Sequence, residues 1–523
     1  MSVEAYVILF NMWHYIRKLK EILMTKYIST RGGNEKISSA TAIIKGLASN
    51  KGLYVPTEIP KLPLTIEEMV GKDYKEVAFV ILKSFFDDFS DDELRYCVES
   101  AYDDKFEKEE IVPIVQAGAV HFIELFHGKT AAFKDIALSI LPYLMTTAMK
   151  KEGIDKKICI LTATSGDTGK AALEGFSDVE GTEIIVFYPH NAVSKIQELQ
   201  MTTQEGINTH VFAIKGNFDD AQRGVKSIFT DKSFAEELSK KNILLSSANS
   251  INIGRLVPQV AYYVYAYLKL IEEKTINSGE PMNVVVPTGN FGNILAAYYA
   301  KMMGIPIRTF ICASNKNKVL TDFFATGVYD ANREFYVTNS PSMDILISSN
   351  LERLLFHLNM NAYGEQNKAS KSVADLMIAL ETSGKYEVSE EIKKEMGMFV
   401  GGFVDPELTL KTIQSMYNKH EYLMDTHTAV AYDVYSEYKK HVCDDFETVI
   451  AATASPYKFP ASVAKAIGIE DMADDFEYLD EINRITGVKI PNSFSDLKQR
   501  PVLHKRVIDK NEMKNVIRES LSL

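Results

Sequence analysis

Cysteine is scarce in this chain: 523 residues hold four, at 97, 159, 312 and 443, with no CxxC pair. Such spacing offers neither a zinc-ligand set nor a disulfide framework, and the thiols read as reduced and structural in a cytoplasmic protein. Positive charge is also in short supply. With 58 Lys and Arg against 70 Asp and Glu, the formal net charge is −12, so no overall basic field exists to hold nucleic acid or an anionic membrane. Any anionic ligand must be met by local donors. The mostly apolar stretch 5–13 is too short to span a bilayer, and Arg17, Lys18 and Lys20 follow it, whereas a secretory signal places its charge first. Residues 1–23 therefore read as an N-terminal extension with an amphipathic helix, or as sequence upstream of a natural start near Met24. Repeats and low-complexity segments are missing too. No metal, no nucleic acid and no membrane are expected, and a small-molecule partner is.

What is present is a globular chain, 46% hydrophobic, long enough for a large core and about two to four domains. From 157 onward short β-branched runs alternate with helical patterns. Strands are expected at 158–163, 183–188, 210–214, 243–246, 284–287 and 307–312, and helices at 170–176, 194–206, 219–238, 257–273 and 294–303. That alternation predicts an α/β fold of βαβ units with a mostly parallel sheet, whose ligands lie beyond the carboxyl ends of the strands. Before 106 the texture differs, with Pro56, Pro60 and Pro63 in a loop and an acidic helical stretch at 86–99; after 345 the pattern is largely helical.

Three stretches carry chemistry. In 126–135, Lys134 follows a small-residue, apolar run at the start of an apolar helix. A lysine placed there is partly desolvated, which favours the neutral amine that attacks a carbonyl and makes Lys134 a candidate Schiff-base residue. The turn 164–169, Thr-Ser-Gly-Asp-Thr-Gly, joins a strand to a helix, and its small residues let backbone amides converge on a carboxylate or phosphate. The turn 287–293, Pro-Thr-Gly-Asn-Phe-Gly-Asn, lies between a Val-rich strand and an Ala-rich helix and suits a phosphate ester. It lacks the Gly-Lys-Ser/Thr ending of a P-loop and the third glycine of a dinucleotide fingerprint, which disfavours a nicotinamide dehydrogenase. A lysine, a phosphate cradle and a second anion site are what a pyridoxal phosphate enzyme requires.

With these motifs the sequence resembles the threonine synthase family, pyridoxal phosphate enzymes of the tryptophan synthase β-subunit fold. The resemblance is carried by 126–135, 164–169, 249–255 (Asn-Ser-Ile-Asn-Ile-Gly-Arg), 289–293, 314–317, 342–350, 453–459 and the opening stretch 27–56. It implies two open, mostly parallel sheets with flanking helices plus an N-terminal lobe. The divisions expected are an N-terminal domain at 24–105, a large cofactor domain at 106–155 and 250–465, a smaller α/β domain at 156–249, and a C-terminal helical segment at 466–523.

Carried over by position, the resemblance implies that Lys134 bonds the cofactor aldehyde, with Phe133 nearby. Gly289, Asn290, Phe291, Gly292 and Asn293 would hold the cofactor phosphate, and Thr453 the pyridine nitrogen. Ser165, Gly166, Asp167 and Thr168 would hold the substrate, with Asn249, Ser250, Asn252 and Arg255 near its phosphate. The implied reaction turns O-phospho-L-homoserine and water into L-threonine and phosphate, in a monomer or homodimer. A phospho-lyase acting on O-phosphoserine or O-phosphothreonine, and a non-catalytic metabolite-binding protein, are the alternatives. Two departures stand out: Ser455 and Tyr457 where the family commonly has His and Ala, and Asn293 where Asp is frequent. The bland reading of Arg255 is a surface ion pair, and that of Asn315, Asn317 and Asp344 is local capping.

Overall fold

The computed structural model describes residues 24–164 and 166–523, and of Asp219 the backbone alone. Two sheets organise them. A six-stranded sheet runs in the order Phe399–Phe403, Ile307–Ser314, Met282–Pro287, Thr448–Ala452, Val120–Glu124, Ile114–Ala117, and only its last pair is antiparallel. A five-stranded, wholly parallel sheet runs Val507–Asp509, Thr209–Lys215, Thr182–Pro189, Lys157–Ala163, Ile243–Ser246. The central strands are buried on both faces, which is why 284–287 reads as a continuous apolar run rather than an alternation. No helix among the described residues is long and apolar enough to cross a membrane.

All six expected strands form, each within a residue or two of the expected ends. The expected 219–238 helix is two helices, Phe218–Thr230 and Lys232–Lys240. Asp231 accepts from Phe234 N at 3.1 Å and so caps the second helix where the first ends. Beyond 345 the chain is largely helical, as expected, but Phe399–Phe403 and Thr448–Ala452 are strands of the larger sheet. The C-terminal segment is likewise not wholly helical: Val507–Asp509 adds a parallel edge strand to the smaller sheet, pairing Ile508 with Ile214.

The N-terminal lobe is a small antiparallel pair, Tyr27–Ser29 with Tyr54–Pro56, and helices capped by Ser38, Asp73 and Ser90. Tyr74 packs edge-on against Tyr265 of the helix Pro258–Glu272 at 5.6 Å. Arg31 makes a fork to Glu352, with Nε to Oε1 and Nη2 to Oε2 both 3.0 Å, and Arg353, fully buried, donates from Nε to Tyr54 O at 2.9 Å. Of the four cysteines, Cys97, Cys159 and Cys312 are buried and Cys443 is exposed, and all are free thiols.

Candidate active site

Every candidate turn lies just past the carboxyl end of a parallel strand: 125–133 after Val120–Glu124, 164–169 after Lys157–Ala163, 247–252 after Ile243–Ser246, 288–291 after Met282–Pro287 and 453–458 after Thr448–Ala452. The lysine loop is stitched to the turn at 453 by backbone bonds, Leu125 N to Ala452 O at 3.0 Å, Phe133 N to Thr453 O at 2.8 Å and Ser455 N to Ala131 O at 3.0 Å. Lys134, the first residue of the helix Lys134–Lys151, and Thr453 are thereby held side by side. Thr453 itself is buried.

Lys134 Nζ lies 3.4 Å from Asp167 Oδ2 and 5.8 Å from the centre of the Phe133 ring. Burial pushes its pKa down; Asp167 opposes this, while Lys458 and Arg255 push the same way as burial. Asp167 is the hub of the site. It receives Lys458 Nζ at 3.1 Å, Gln197 Nε2 at 3.0 Å and Ser342 Oγ at 3.2 Å. Burial alone would raise its pKa, but Lys458 and Lys134 hold it well below the usual carboxylate range. Lys458, fully enclosed, also donates to Thr130 O at 2.9 Å and Gln200 Oε1 at 3.2 Å, so one ammonium ties the lysine loop to the helix Lys195–Thr202.

Asp135, the residue after Lys134, accepts from Thr130 N at 2.8 Å and Thr130 Oγ1 at 2.5 Å. Burial raises its pKa to about 6, against those two bonds. The folded chain therefore binds a proton that the unfolded chain releases near pH 4, and this contribution to stability is present below pH 4 and lost as pH rises through about 6. Asp135→Asn should abolish that slope, worth about 2–3 kcal/mol over the interval. Urea unfolding of both proteins from pH 4 to 7 checks it; parallel curves would contradict it.

The 289–293 turn has the construction of an anion cradle. The five backbone amides from Gly289 to Asn293 donate to no described residue, and the helix Gly292–Met303 begins there without a side-chain cap. Phe291 sits left-handed at φ 65° with its ring buried. Asn293 accepts from Tyr263 Oη and leaves its buried Nδ2 unpartnered, so the departure from Asp supplies a donor instead of a second negative charge. The turn is braced from behind: Ser348 Oγ donates to Gly289 O at 2.7 Å, and Asn350 donates to Asn290 O through its backbone N at 3.0 Å and Nδ2 at 3.1 Å. A Cβ on Gly289 would lie 2.5 Å from the Ser342 carbonyl oxygen, a backbone atom. Gly289→Ala should therefore displace the cradle and weaken pyridoxal phosphate binding about tenfold or more while the chain still folds, as a cofactor titration would read.

The remaining candidates divide. At the 164–169 turn the Thr164 hydroxyl accepts from Gly166 N and Gly169 N, both at 3.0 Å, leaving the amides of Asp167 and Thr168 without a partner among the described residues. Gly166, at φ 141°, adopts a conformation that L side chains rarely take. Ser165 lies outside the described residues. Arg255 is buried and is no surface ion pair: its Nη1 donates to Ala248 O at 2.7 Å, no carboxylate among the described residues answers it, and its Nε is buried and unbonded. Burial lowers its pKa to about 10. Asn252 is committed to the protein's own backbone, donating to Ile43 O at 2.9 Å and accepting from Gly254 N at 2.8 Å, so a substrate contact is not what its side chain is arranged for. Asn249 is exposed, and Ser250 offers its carbonyl to Asn350 Nδ2 at 3.2 Å.

Asn315, Asn317 and Asp344 form a local pin: Asp344 Oδ1 accepts from Asn315 Nδ2 at 2.7 Å and Asn317 Nδ2 at 3.0 Å. Ser455 caps the short 3₁₀ turn Pro456–Lys458, and Tyr457 donates its hydroxyl to Val488 O, so both departures near Thr453 serve local structure and the C-terminal segment. Lys458, Gln197, Gln200 and Ser342 belong to the site and received no role from the sequence. Lys458 and Ser342 lay inside the quoted motifs; the two glutamines carried no signal beyond three-residue spacing on one helix.

A buried lysine, a capless helix N-terminus whose five amides have no partner among the described residues, and a buried orphan amide fit pyridoxal phosphate: Lys134 would meet its aldehyde and 289–293 its phosphate, and by the family resemblance Thr453 would meet its ring nitrogen. The comparisons agree. The pyridoxal-phosphate dependent enzyme family matches residues 116–453, the threonine synthase N terminus 26–102 and the threonine synthase C-terminal region 428–517. Human threonine synthase-like 1 is 39% identical over 478 residues, 87% of this chain and 63% of that protein. Pseudomonas aeruginosa threonine synthase is 38% identical over 448 residues, covering 84% of this chain and 90% of its own. The crystal structure of pyridoxal phosphate-bound threonine synthase from Brucella melitensis superposes with a TM-score of 0.84 at 36% identity, covering 95% of this chain and 100% of its own. The chain thus belongs to the pyridoxal-phosphate dependent enzyme family, on an open α/β fold. Within that class the chain belongs to the threonine synthase family. It spans about three-fifths of the length of its threonine synthase-like 1 relatives, 63% for the human protein.

Proposed function

We propose that the chain converts O-phospho-L-homoserine and water to L-threonine and phosphate. The observation that carries this reading is Arg255, a buried guanidinium with no acidic partner among the described residues and an unbonded Nε, close enough to Lys134 to lower its pKa. A buried cation left unpaired by the protein is costly unless a ligand anion answers it, and a guanidinium edge suits a phosphate. Together with the 289–293 cradle, this provides two phosphate sites for one reaction: one for the cofactor and one for a phosphorylated substrate. Pyridoxal phosphate, when bound, supplies an aldehyde for the substrate amine and a ring that withdraws electrons from the reacting carbons.

The rest falls to the chain. Lys134 Nζ takes and returns protons at Cα and Cβ. The amides of Asp167 and Thr168, without a partner among the described residues, meet the substrate carboxylate at the head of the Asp167–Phe176 helix. Arg255 receives the phosphate leaving Cγ, and water adds at Cβ. Phosphate and threonine assays on the full-length chain with phosphohomoserine test this: equal amounts of both are expected. Phosphate release with a keto acid and no threonine would assign the site to a phospho-lyase instead.

A further inference from the structure

The sequence places Asp167 among substrate ligands, yet the structure turns its carboxylate away from that task. Both oxygens are occupied: Oδ1 by Lys458 Nζ and Gln197 Nε2, Oδ2 by Lys134 Nζ and Ser342 Oγ. The Ser342 segment is itself fixed from behind. Ser342 N donates to His427 Nε2 at 3.1 Å, and His427 Nδ1 donates to Asp425 Oδ2 at 2.7 Å. Four elements far apart in sequence thus converge on one buried carboxylate, and that carboxylate faces the reacting nitrogen.

We infer that Asp167 is a positioning residue that acts through Lys134: a permanent counter-charge, clamped by Lys458, which aims the Lys134 nitrogen and sets the pH at which it holds its proton. The inference rests on the reading above that Lys134 is the cofactor lysine. It removes Asp167 from the substrate contacts and leaves the substrate carboxylate to the backbone amides of 167 and 168. An anion flanked by two ammonium groups cannot favourably meet a second carboxylate, and in this arrangement it has no need to. The charged and titratable groups around the pair are Lys458 from the turn after Thr448–Ala452, Arg255 from Ile253–Leu256, His427 behind Ser342, and Asp135, whose carboxyl is bonded to Thr130.

Opposite charges on the two sides of the Lys134 nitrogen make a test with a sign. Asp167→Asn removes the anion and should lower the pH midpoint of Lys134 by about one unit or more, whereas Lys458→Gln removes a competing cation and should raise it. Two readouts apply to the full-length chain: the pH at which the bound cofactor changes colour, and, with cofactor removed, the pH dependence of Lys134 acetylation by acetic anhydride, counted on the Lys134 peptide. Shifts of opposite sign in the two variants support the inference. Shifts of the same sign, or none, overturn it, because a merely structural role would disturb both variants alike. Should Asp167→Asn fail to fold, Lys458→Gln alone decides by the direction of its shift. A wild-type chain that takes up no cofactor would defeat the reading of Lys134, while the acetylation arm would still judge the counter-charge.

Discussion

Lys134→Ala should lower turnover by on the order of 10⁴-fold, the upper end of what a positioned acid–base group contributes, because in the proposed mechanism the same nitrogen both tethers the cofactor and moves protons. The structure gives no substitute. Lys458 is the other ammonium on Asp167, but it is fully enclosed and spends its donors on Thr130 O, Gln200 Oε1 and Asp167 Oδ1. The fold should survive the change, since Lys134 is the first residue of its helix and alanine is a better helix former. Steady-state assays with matched thermal unfolding curves separate the two effects. A variant of near-normal rate would end the assignment of Lys134.

Arg255→Met should cost about 10²–10³-fold in kcat/KM for a phosphorylated substrate, the loss of one or two charge-assisted hydrogen bonds to phosphate. The same change should leave the ligand-free protein no less stable. Arg255 is buried with no described acid beside it and an unbonded Nε, so methionine relieves the desolvation cost of a charge at the expense of one charge-assisted bond to Ala248 O. Loss of function without loss of stability marks a residue kept for its ligand. Inorganic phosphate inhibition, expected to fade in the variant, gives an independent reading. If Tm fell along with activity, the guanidinium would be structural.

Much of this site was legible because its signals are local. A strand, a small-residue turn and a helix follow one another within a dozen residues at 157–176 and 282–303, and that alternation places the turns at strand ends whatever the rest of the chain does. The lysine was legible for the same reason. What escaped depends on distance along the chain. Asp167 and Lys458 lie far apart in sequence, and nothing in either neighbourhood announces that they pair. Asn252 shows the converse limit: an asparagine in a motif looks alike as ligand and as helix cap, and only its bonds to Ile43 O and Gly254 N tell them apart. The strand Val507–Asp509 is three residues long, too short for period-two patterning to register against the helices around it. Arg353, whose guanidinium donates to Tyr54 O, Asn350 Oδ1 and Ile251 O, braces the cradle from a position where sequence suggests only an amphipathic helix.

The account turns on which lysine carries the cofactor, and one measurement addresses that directly. The full-length protein is mixed with pyridoxal phosphate, reduced with borohydride, digested and mapped by mass spectrometry. A single phosphopyridoxyl group on Lys134, absent from the Lys134→Ala variant, is the predicted result. A group on Lys458 or another lysine, or no stable adduct at all, would contradict it.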